Sequence, residues 1–365
     1  MKKHLSIVPV FFVLMAMAST LQAQSLNERL QQLSGIASKK YIAPAVNTFG
    51  ANYNGGWFNR PPAAKVLGLD FEVGIVAMGS FFKDEEKRFS TDGNFRFTRD
   101  QAQKLTESVT DPAIKEQLIS QIISRDFNVA IGGPTVTGSK KENIQVTFAP
   151  RGSETFLVTD PRTQQSMTVS LPTRSIKINV KGALENFSML PAAAPQIKIG
   201  TVYGTQMLLR YLPGINMPED LGKLDFIGFG LQHNPGVWLK TPLPVDISLG
   251  FMTQKITLAD LLKITGTAYG INVSRTFGTG LVKVTPFAGF ILEKTNVEVD
   301  YTSTFDSEAG KEEVNIKFDM ESENKNRVNL GAAVQLGSVS LILDYNIGKY
   351  KALTAGLMYN FGFIL

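Results

Sequence analysis

The sequence predicts an all-β protein: a transmembrane antiparallel β-barrel of about 14 strands, or of 10 to 12 strands if its middle region folds as loops and plug. Three features support this prediction, namely an export signal, long strands that alternate between apolar and polar or small residues, and an aromatic strand at the C-terminus. The 365 residues are 43% hydrophobic and 19% charged. This apolar content excludes intrinsic disorder. The absence of cysteine excludes a disulfide scaffold and a cysteine-ligated metal site.

Residues 1–23 are expected to be a signal peptide. Lys2 and Lys3 provide the positive start, Ile7–Ala18 is an apolar run broken by one proline, and Ala23 is a small residue suited to cleavage. The apolar run is shorter than the ~20 residues that a spanning helix needs. Loss of the two lysines would lower the formal net charge from +5 to +3, so a nucleic-acid partner is not expected. The predicted location is the outer membrane of a Gram-negative cell.

The mature region, residues 24–365, is interpreted as one barrel domain. Within it, residues 24–45 are expected to form an N-terminal helix or plug, because Ser25 and Glu28 match a capping box. Residues 82–195 are predicted to be an irregular region rich in loops and plug, with a helix that begins at Asp111-Pro112 and short β-like runs at 144–148, 154–158, 166–171 and 174–180. Between them, Phe49–Trp57 alternates with the two-residue period of a strand.

Strands of the barrel are predicted wherever one face is apolar and the other is small or polar. Several exceed ten residues, near the 9–11 that a tilted membrane strand requires. Aromatic residues close to the strand ends resemble the girdle found at membrane interfaces. The chain ends on Phe361-x-Phe363-x-Leu365, whereas outer-membrane barrels usually end on Phe. The predicted strands cover 67–77, 196–210, 223–233, 243–254, 266–277, 280–298, 312–320, 328–336, 338–347 and 351–365.

The polar faces of these strands predict the residues that line the lumen. These polar residues have apolar residues before and after them in the strand, so their side chains should point away from lipid and into the barrel. Two interpretations stay open: the charged members pair across the lumen and close it, or they line a solute path of mixed charge. The predicted lumen-lining residues are Asp70, Glu72, Lys198, Gln206, Arg210, Gln232 and Asp246.

Three short segments carry a resemblance to a known group of proteins. They are Gly204–Pro213, Gly230–His233 and Pro242–Asp246. With the signal peptide, the short N-terminal helix and the glycine-rich strands, they resemble an uncharacterised outer-membrane β-barrel family of Bacteroidota. That family is distantly similar to FadL-type transporters of hydrophobic compounds. The resemblance implies 14 strands, an N-terminal plug and uptake through a lateral opening. The chain departs from it in lacking an Asn-Pro-Ala plug signature.

No catalytic, cofactor or metal site is predicted. His233 is the sole histidine of the mature region, so a multi-histidine zinc site is excluded. A hydrolase that pairs His233 with Ser248 is a minor alternative. The expected partners are outer-membrane lipid and a small hydrophobic solute. The leading hypothesis is passive passage of that solute, and the alternative is a closed barrel with a structural or partner-binding role.

Overall fold

A computed structural model describes residues 35–216, 223–259, 262–307 and 310–362. The predicted signal peptide and the predicted capping box at Ser25 lie outside these ranges. Three α-helices are described: α1 (Gly35–Tyr53), α2 (Arg99–Leu105) and α3 (Pro112–Ile123). The first nine strands are β1 (Leu67–Phe81), β2 (Arg88–Phe95), β3 (Phe127–Pro134), β4 (Ile144–Phe148), β5 (Glu154–Thr159), β6 (Ser166–Leu171), β7 (Arg174–Ile178), β8 (Met189–Val202) and β9 (Thr205–Asn216). The others are β10 (Lys223–His233), β11 (Asp246–Leu258), β12 (Leu262–Ser274), β13 (Val282–Ser307), β14 (Gly310–Glu321), β15 (Asn326–Leu336), β16 (Val339–Gly348) and β17 (Ala352–Gly362).

Within the described ranges, ten strands close into an antiparallel barrel. Their order around the wall is β1, β8, β9, β10, β11, β12, β13, β15, β16 and β17, and β17 pairs back onto β1. The prediction of an all-β antiparallel barrel is therefore confirmed. The count of 14 is wrong, and ten lies at the lower end of the predicted range. One reason is that the segment predicted as a strand at 312–320 adds no wall position. It forms β14, which pairs with the same edge of β13 as β15 does, so β14 and β15 follow one another along β13.

The outward face of β13 changes character along its length. Val282–Leu292 presents large apolar side chains, and from Lys294 onward the outward positions are polar. On the neighbouring strand the change falls at the same level, because Leu292 pairs with Tyr269 and Lys294 pairs with Thr267. Eleven apolar-faced residues match the length that a tilted strand needs to cross a bilayer. The wall thus has an apolar outer band, and β13 and β14 extend beyond it.

The same apolar band continues around the rest of the wall. Its outward side chains are exposed, and alternate residues of each strand point inward. Representative members are Ile227, Phe229, Leu231, Leu249, Ile271, Phe290, Leu341, Leu353 and Leu357. No helix in the described ranges has the length and apolar character needed to cross a membrane.

Residues 82–188 connect β1 to β8 and form a subdomain outside the wall, at the mouth of the barrel that is here called the upper mouth. This part of the chain is called the upper subdomain. Here β2, β3, β4 and β7 make a four-stranded sheet, and β5 pairs with β6. Buried phenylalanines, among them Phe97, Phe127 and Phe148, pack edge to face in its core. The helix predicted at Asp111-Pro112 is present, and the Asp111 carboxylate accepts the Ala113 N–H at 2.9 Å. The region is therefore ordered secondary structure rather than irregular loop, because its short strands pair with one another and not with the wall.

The described part of the N-terminal region is helical beyond residue 45, where the predicted helix or plug ends. Helix α1 occupies Gly35–Tyr53, so it includes most of the Phe49–Trp57 alternation that predicted a strand. The helix lies inside the barrel, where every wall strand already has two partners. A strand there would leave its backbone N–H and C=O groups without partners, whereas a helix satisfies them internally.

Candidate functional site in the barrel lumen

Residues 35–66, here called the lumen segment, pass through the barrel from one mouth to the other. At the upper mouth, next to the upper subdomain, the Val136 N–H donates to the Tyr41 carbonyl at 2.9 Å. At the lower mouth, the Gly204 N–H donates to the Lys65 carbonyl at 2.9 Å. The chain then turns into β1 and runs back up the wall. The lumen segment therefore fills the interior that the sequence analysis considered as a solute path.

Apolar packing surrounds the helical part of the lumen segment. Phe49 stacks on Tyr53 with ring centroids 4.3 Å apart, and Tyr53 meets the edge of Phe226 at 5.6 Å. Val297 and Val299 of β13 are buried in the same core. These wall positions lie beyond the apolar outer band. The barrel therefore has an apolar interior where its exterior is polar. Within the band the interior is mixed, because buried charged and amide side chains lie beside an apolar cluster that includes Trp57, Phe58 and Ile291.

Asn47 and Tyr350 connect the helix to the upper mouth. The Asn47 amide donates to the Tyr350 hydroxyl at 2.8 Å, and Tyr350, which lies between β16 and β17, donates to the Glu86 carboxylate. Burial and the neighbouring Glu86 carboxylate together raise the pKa of Tyr350 well above its ordinary value. Tyr350 therefore stays a protonated donor through the neutral range.

Trp57 and Phe58 are held by glycines on the inner wall. A Cβ at Gly228 would lie 2.7 Å from the Trp57 ring, and a Cβ at Gly250 would lie 2.6 Å from Phe58. Both rings are fully buried, at 0% and 1% exposure. The Trp57 Nε1 also donates to Gln254 at 3.3 Å. Glycine at these inward positions is thus required by the close approach of two large rings.

Arg210 reaches from the wall to the backbone of the lumen segment. Its Nη2 donates to the Gly55 carbonyl at 2.9 Å, and its Nε donates to Gln196 at 2.8 Å. The guanidinium lies 4.2 Å from the centroid of the Trp57 ring, within the range of a cation–π contact. A planar guanidinium with several donors can satisfy backbone carbonyls that have left the helical hydrogen-bond pattern.

A second arginine, Arg327, makes the equivalent contacts from β15. It donates to the Asn54 carbonyl and lies 2.7 Å from the Glu293 carboxylate, with both side chains almost fully buried. The Asn54 amide donates to Thr295 at 3.0 Å and accepts from Gln254 at 2.7 Å. The turn that ends α1 is therefore bonded to four separate wall side chains.

The lower part of the lumen segment contacts a buried charge cluster. Arg60 pairs with Glu72, and Lys198 lies 3.7 Å from the same carboxylate. The Lys198 ammonium also donates to the Asn59 side chain at 2.8 Å. Buried charges need such pairing, because an isolated charge in the interior is very costly. Two cations share one carboxylate here, and Asn59 supplies a further acceptor.

The predicted lumen-lining residues occupy different environments. Glu72, Lys198, Gln206, Arg210 and Gln232 are buried inside the barrel, with Gln206 and Gln232 paired across β9 and β10. Asp70 is exposed near the lower mouth, and Asp246 is half-buried and accepts from Asn234 at 3.2 Å. Glu72, Lys198 and Arg210 contact the lumen segment or its charge cluster. Their role in a solute path stays a prediction.

The sequence patterns did not identify the residues of the lumen segment or several of their partners, among them Glu293 and Arg327. Glu293 lies between outward-facing Leu292 and Lys294, and its side chain points inward and is 6% exposed. Arg327 alternates with apolar Val328 and Leu330, so the rule that selected Arg210 would also have selected it. Asn54 and Trp57 lie in the alternation that was interpreted as a strand, and Asn59 lies outside it. The contacts of all three depend on the path of the lumen segment.

No hydrogen bond joins His233 and Ser248 in the described ranges. His233 Nδ1 lies 2.9 Å from the Thr205 hydroxyl, and its ring lies 4.6 Å from that of Trp238. The Ser248 hydroxyl is buried without a hydrogen-bond partner in the described part of the chain. Among the described residues there is also no group of three or more His, Asp or Glu side chains placed to hold a metal ion.

These observations define a class: a ten-stranded antiparallel β-barrel filled by its own N-terminal segment, with an inserted subdomain at one mouth. The chain belongs to a family of unknown function, DUF6588, whose model matches residues 1–361. No curated protein matches the sequence.

Solved structures provide a weak comparison. The β domain of the Bordetella autotransporter Brka is 10% identical over 81% of this chain and 100% of that chain, with a TM-score of 0.21. OmpT, an outer-membrane protein of Vibrio cholerae, is 8% identical over 81% and 100%, with a TM-score of 0.23. A BenF-like porin from Pseudomonas fluorescens is 7% identical over 81% and 98%, with a TM-score of 0.12. These scores are too low to support an argument, and the fold assignment rests on the strand pairing.

Proposed function

We propose that the protein is an outer-membrane β-barrel with a closed lumen, which holds the upper subdomain at the cell surface as a binding module. The observation that carries this proposal is the lumen segment, which crosses the whole interior and is bonded to the wall along its length. Such a barrel anchors a module in the membrane without conducting solutes. This is the closed-barrel alternative of the sequence analysis.

The apolar outer band supports the membrane location. Large apolar side chains in a continuous exposed belt are unfavourable in water and mark a surface that contacts lipid. The belt is lined on the inside by Arg210, Arg327 and Lys198, which are buried and paired. This polarity, apolar outside and polar inside, is opposite to that of a soluble protein and typical of transmembrane barrels.

The longest connection between strands supports the orientation. At the upper mouth, β1 and β8 are joined by the whole upper subdomain, residues 82–188. At the lower mouth the β8–β9 and β15–β16 connections are two residues each, the β12–β13 connection has seven residues (275–281) and the β10–β11 connection has twelve (234–245). Barrels of bacterial outer membranes place short turns in the periplasm and long connections outside the cell. The upper subdomain would accordingly face the medium.

Passive passage of a small hydrophobic solute, the leading hypothesis from the sequence, has less support. It requires the lumen segment to move, which would expose Trp57 and Phe58 and leave Arg210 and Arg327 without their carbonyl partners. Entry through a lateral opening, as the FadL-type resemblance implies, requires a break in the wall. Every neighbouring pair of wall strands within the described ranges is hydrogen-bonded.

Conductance in planar lipid bilayers tests the closed lumen. Purified protein should insert and yet give no stepwise current, and the heat-sensitive gel mobility of protein recovered from the same lipid would show that it is folded. Single-channel steps from the unaltered protein would contradict the proposal and favour passage.

Epitope tags test the orientation. Gly152 lies in an exposed turn of the upper subdomain and Gly280 lies in the β12–β13 turn at the lower mouth, and both have open space around them. Antibody should bind intact cells that carry a tag at Gly152 and should bind a Gly280 tag only after the membrane is permeabilised. The reverse result would place the subdomain in the periplasm.

A further inference from the structure

The four-stranded sheet of the upper subdomain has one face that packs on the subdomain core and one that does not. Val129, Ile131, Val146 and Phe148 point into the core and are buried. The opposite face presents the alternate residues of the same strands. It forms a groove with a volume of about 790 Å³, within the usual range of ligand sites.

The groove exists because its floor has small side chains and its sides have long ones. Ala130 and Gly132 of the central strand β3 form the floor. Gln145 of β4 pairs with Gly132 on one side and with Lys177 of β7 on the other, so two long polar side chains stand beside the glycine. Arg88 lies on β2, the strand at the other edge of the sheet. The groove is therefore built by the sheet itself.

The lining is polar and carries an excess of positive charge. Arg88, Lys141 and Lys177 supply three cations, and Glu142 supplies one carboxylate, which pairs with Arg88. Neither lysine has an ion-pair partner among the described residues. Two cations thus lie in a concave surface without a counter-charge, where low-dielectric walls focus their potential.

Hydrogen-bonding groups accompany the two lysines. Ser90, Gln145 and Thr147 line the groove with hydroxyl and amide groups, and the Asn143 amide oxygen is buried without a hydrogen-bond partner in the described part of the chain. A buried acceptor without a partner is unfavourable unless water or a ligand donates to it. A ligand with both hydroxyl donors and an anionic group would satisfy these residues together.

We propose that this groove binds an anionic saccharide, with the acidic or phosphate group at Lys141 and Lys177 and the sugar hydroxyls over Ala130 and Gly132. The inference rests on the proposed function, since it names the chemical class of the ligand that the displayed subdomain recognises. A hydrophobic solute does not fit, because few apolar side chains are available on this face.

Calorimetric titration of detergent-solubilised full-length protein tests the proposal, with glucose 6-phosphate and digalacturonate as probes and glucose and maltose as neutral counterparts. The acidic probes should bind at least about tenfold more tightly than the neutral ones, a difference of ~1.4 kcal/mol. Equal binding of acidic and neutral sugars, or no binding of any probe at millimolar concentration, would overturn it.

Variants locate the binding in the groove. The double change Lys141→Gln and Lys177→Gln should weaken binding of the acidic probes by roughly 10- to 30-fold, because it removes both cations that contact the acidic group. Ala130→Leu fills the floor and should abolish binding without any change of charge. Lys104→Gln, an exposed lysine on α2 away from the groove, is the matched control. If the double variant and Ala130→Leu both bind as the unaltered protein does, the proposed site is wrong.

A competition experiment between glucose 6-phosphate and lipid vesicles identifies the source of the ligand. Phosphatidylcholine vesicles with lipopolysaccharide would displace glucose 6-phosphate if the sugar belongs to the membrane surface, and vesicles without it would not. The failure of this proposal is distinguishable from that of the closed barrel, because sugar binding is measured by calorimetry and closure is measured by conductance.

Discussion

Replacing Trp57 by alanine is the most informative perturbation of the lumen segment. The ring is 0% exposed, fits against Gly228 and Gly230, and lies under the Arg210 guanidinium. Truncation of a buried tryptophan to alanine costs about 3–5 kcal/mol, because packing contacts are lost and a cavity stays behind. Loss of the hydrogen bond to Gln254 and of the cation–π contact adds roughly 1 kcal/mol. Trp57→Ala should therefore destabilise the folded barrel by about 4–6 kcal/mol.

The loss can be measured as the urea concentration at which the compact gel band of the folded barrel disappears. Trp238→Phe is the control, because Trp238 is 69% exposed and its replacement keeps an aromatic ring at the same place. We expect this control to change stability by no more than about 0.5 kcal/mol. A cost below about 1 kcal/mol for Trp57→Ala would show that the lumen segment does not hold the ring as described.

The Trp238→Phe variant also leaves Trp57 as the sole tryptophan, since the chain contains two. Its fluorescence should be shifted to short wavelength and resist quenching by acrylamide. Emission of a solvent-exposed indole would contradict a filled lumen.

Three further predictions concern other parts of the chain. Arg327→Met should lower the free energy of unfolding by about 3–5 kcal/mol in the same urea assay, because it leaves the Glu293 carboxylate buried without its cation. Adding Glu293→Gln to this variant should restore part of the lost stability. If it restores none, the two side chains do not form a direct pair. The pKa of Tyr350 is raised above its usual value of 10 in the folded protein, so its contribution to stability is complete below pH 10 and is lost as the pH rises further. Unfolding measured between pH 9 and 12 should thus show a steeper loss for the unaltered protein than for Tyr350→Phe, and parallel curves would exclude this contribution. N-terminal sequencing of exported protein should begin at Gln24, and a chain that keeps residues 1–23 would refute signal cleavage.

Alternation along single strands predicted the wall strands, and the strand lengths, the export signal and the aromatic C-terminal strand were needed to predict a barrel from them. A wall strand has one face toward lipid and one toward the interior, so its residue types record the two-residue period directly. The boundary between Leu292 and Lys294 was also readable, because the outward face changes from apolar to charged at that level.

The strand number was not readable in the same way. Strands within residues 82–188 have the same local patterns as wall strands, but they are short and pair with one another. Likewise β14 and β15 are separate in sequence yet share one edge of β13. Pairing is a non-local property, and local periodicity does not determine it.

The two-residue period determined the inward orientation of Glu72, Lys198 and Arg210, because hydration separates apolar from polar side chains at every step of a strand. Together with the export signal, the strand lengths and the C-terminal strand, it also predicted the fold class. Only the tertiary structure shows that the lumen is filled. In the sequence Gly228 is an ordinary strand glycine and Arg210 could line a channel. In the structure Trp57 lies against Gly228, and Arg210 donates a hydrogen bond to the Gly55 carbonyl. The position of the lumen segment decides whether the lumen is open or closed. Local patterns could not show it, because its contacts join residues more than 150 positions apart.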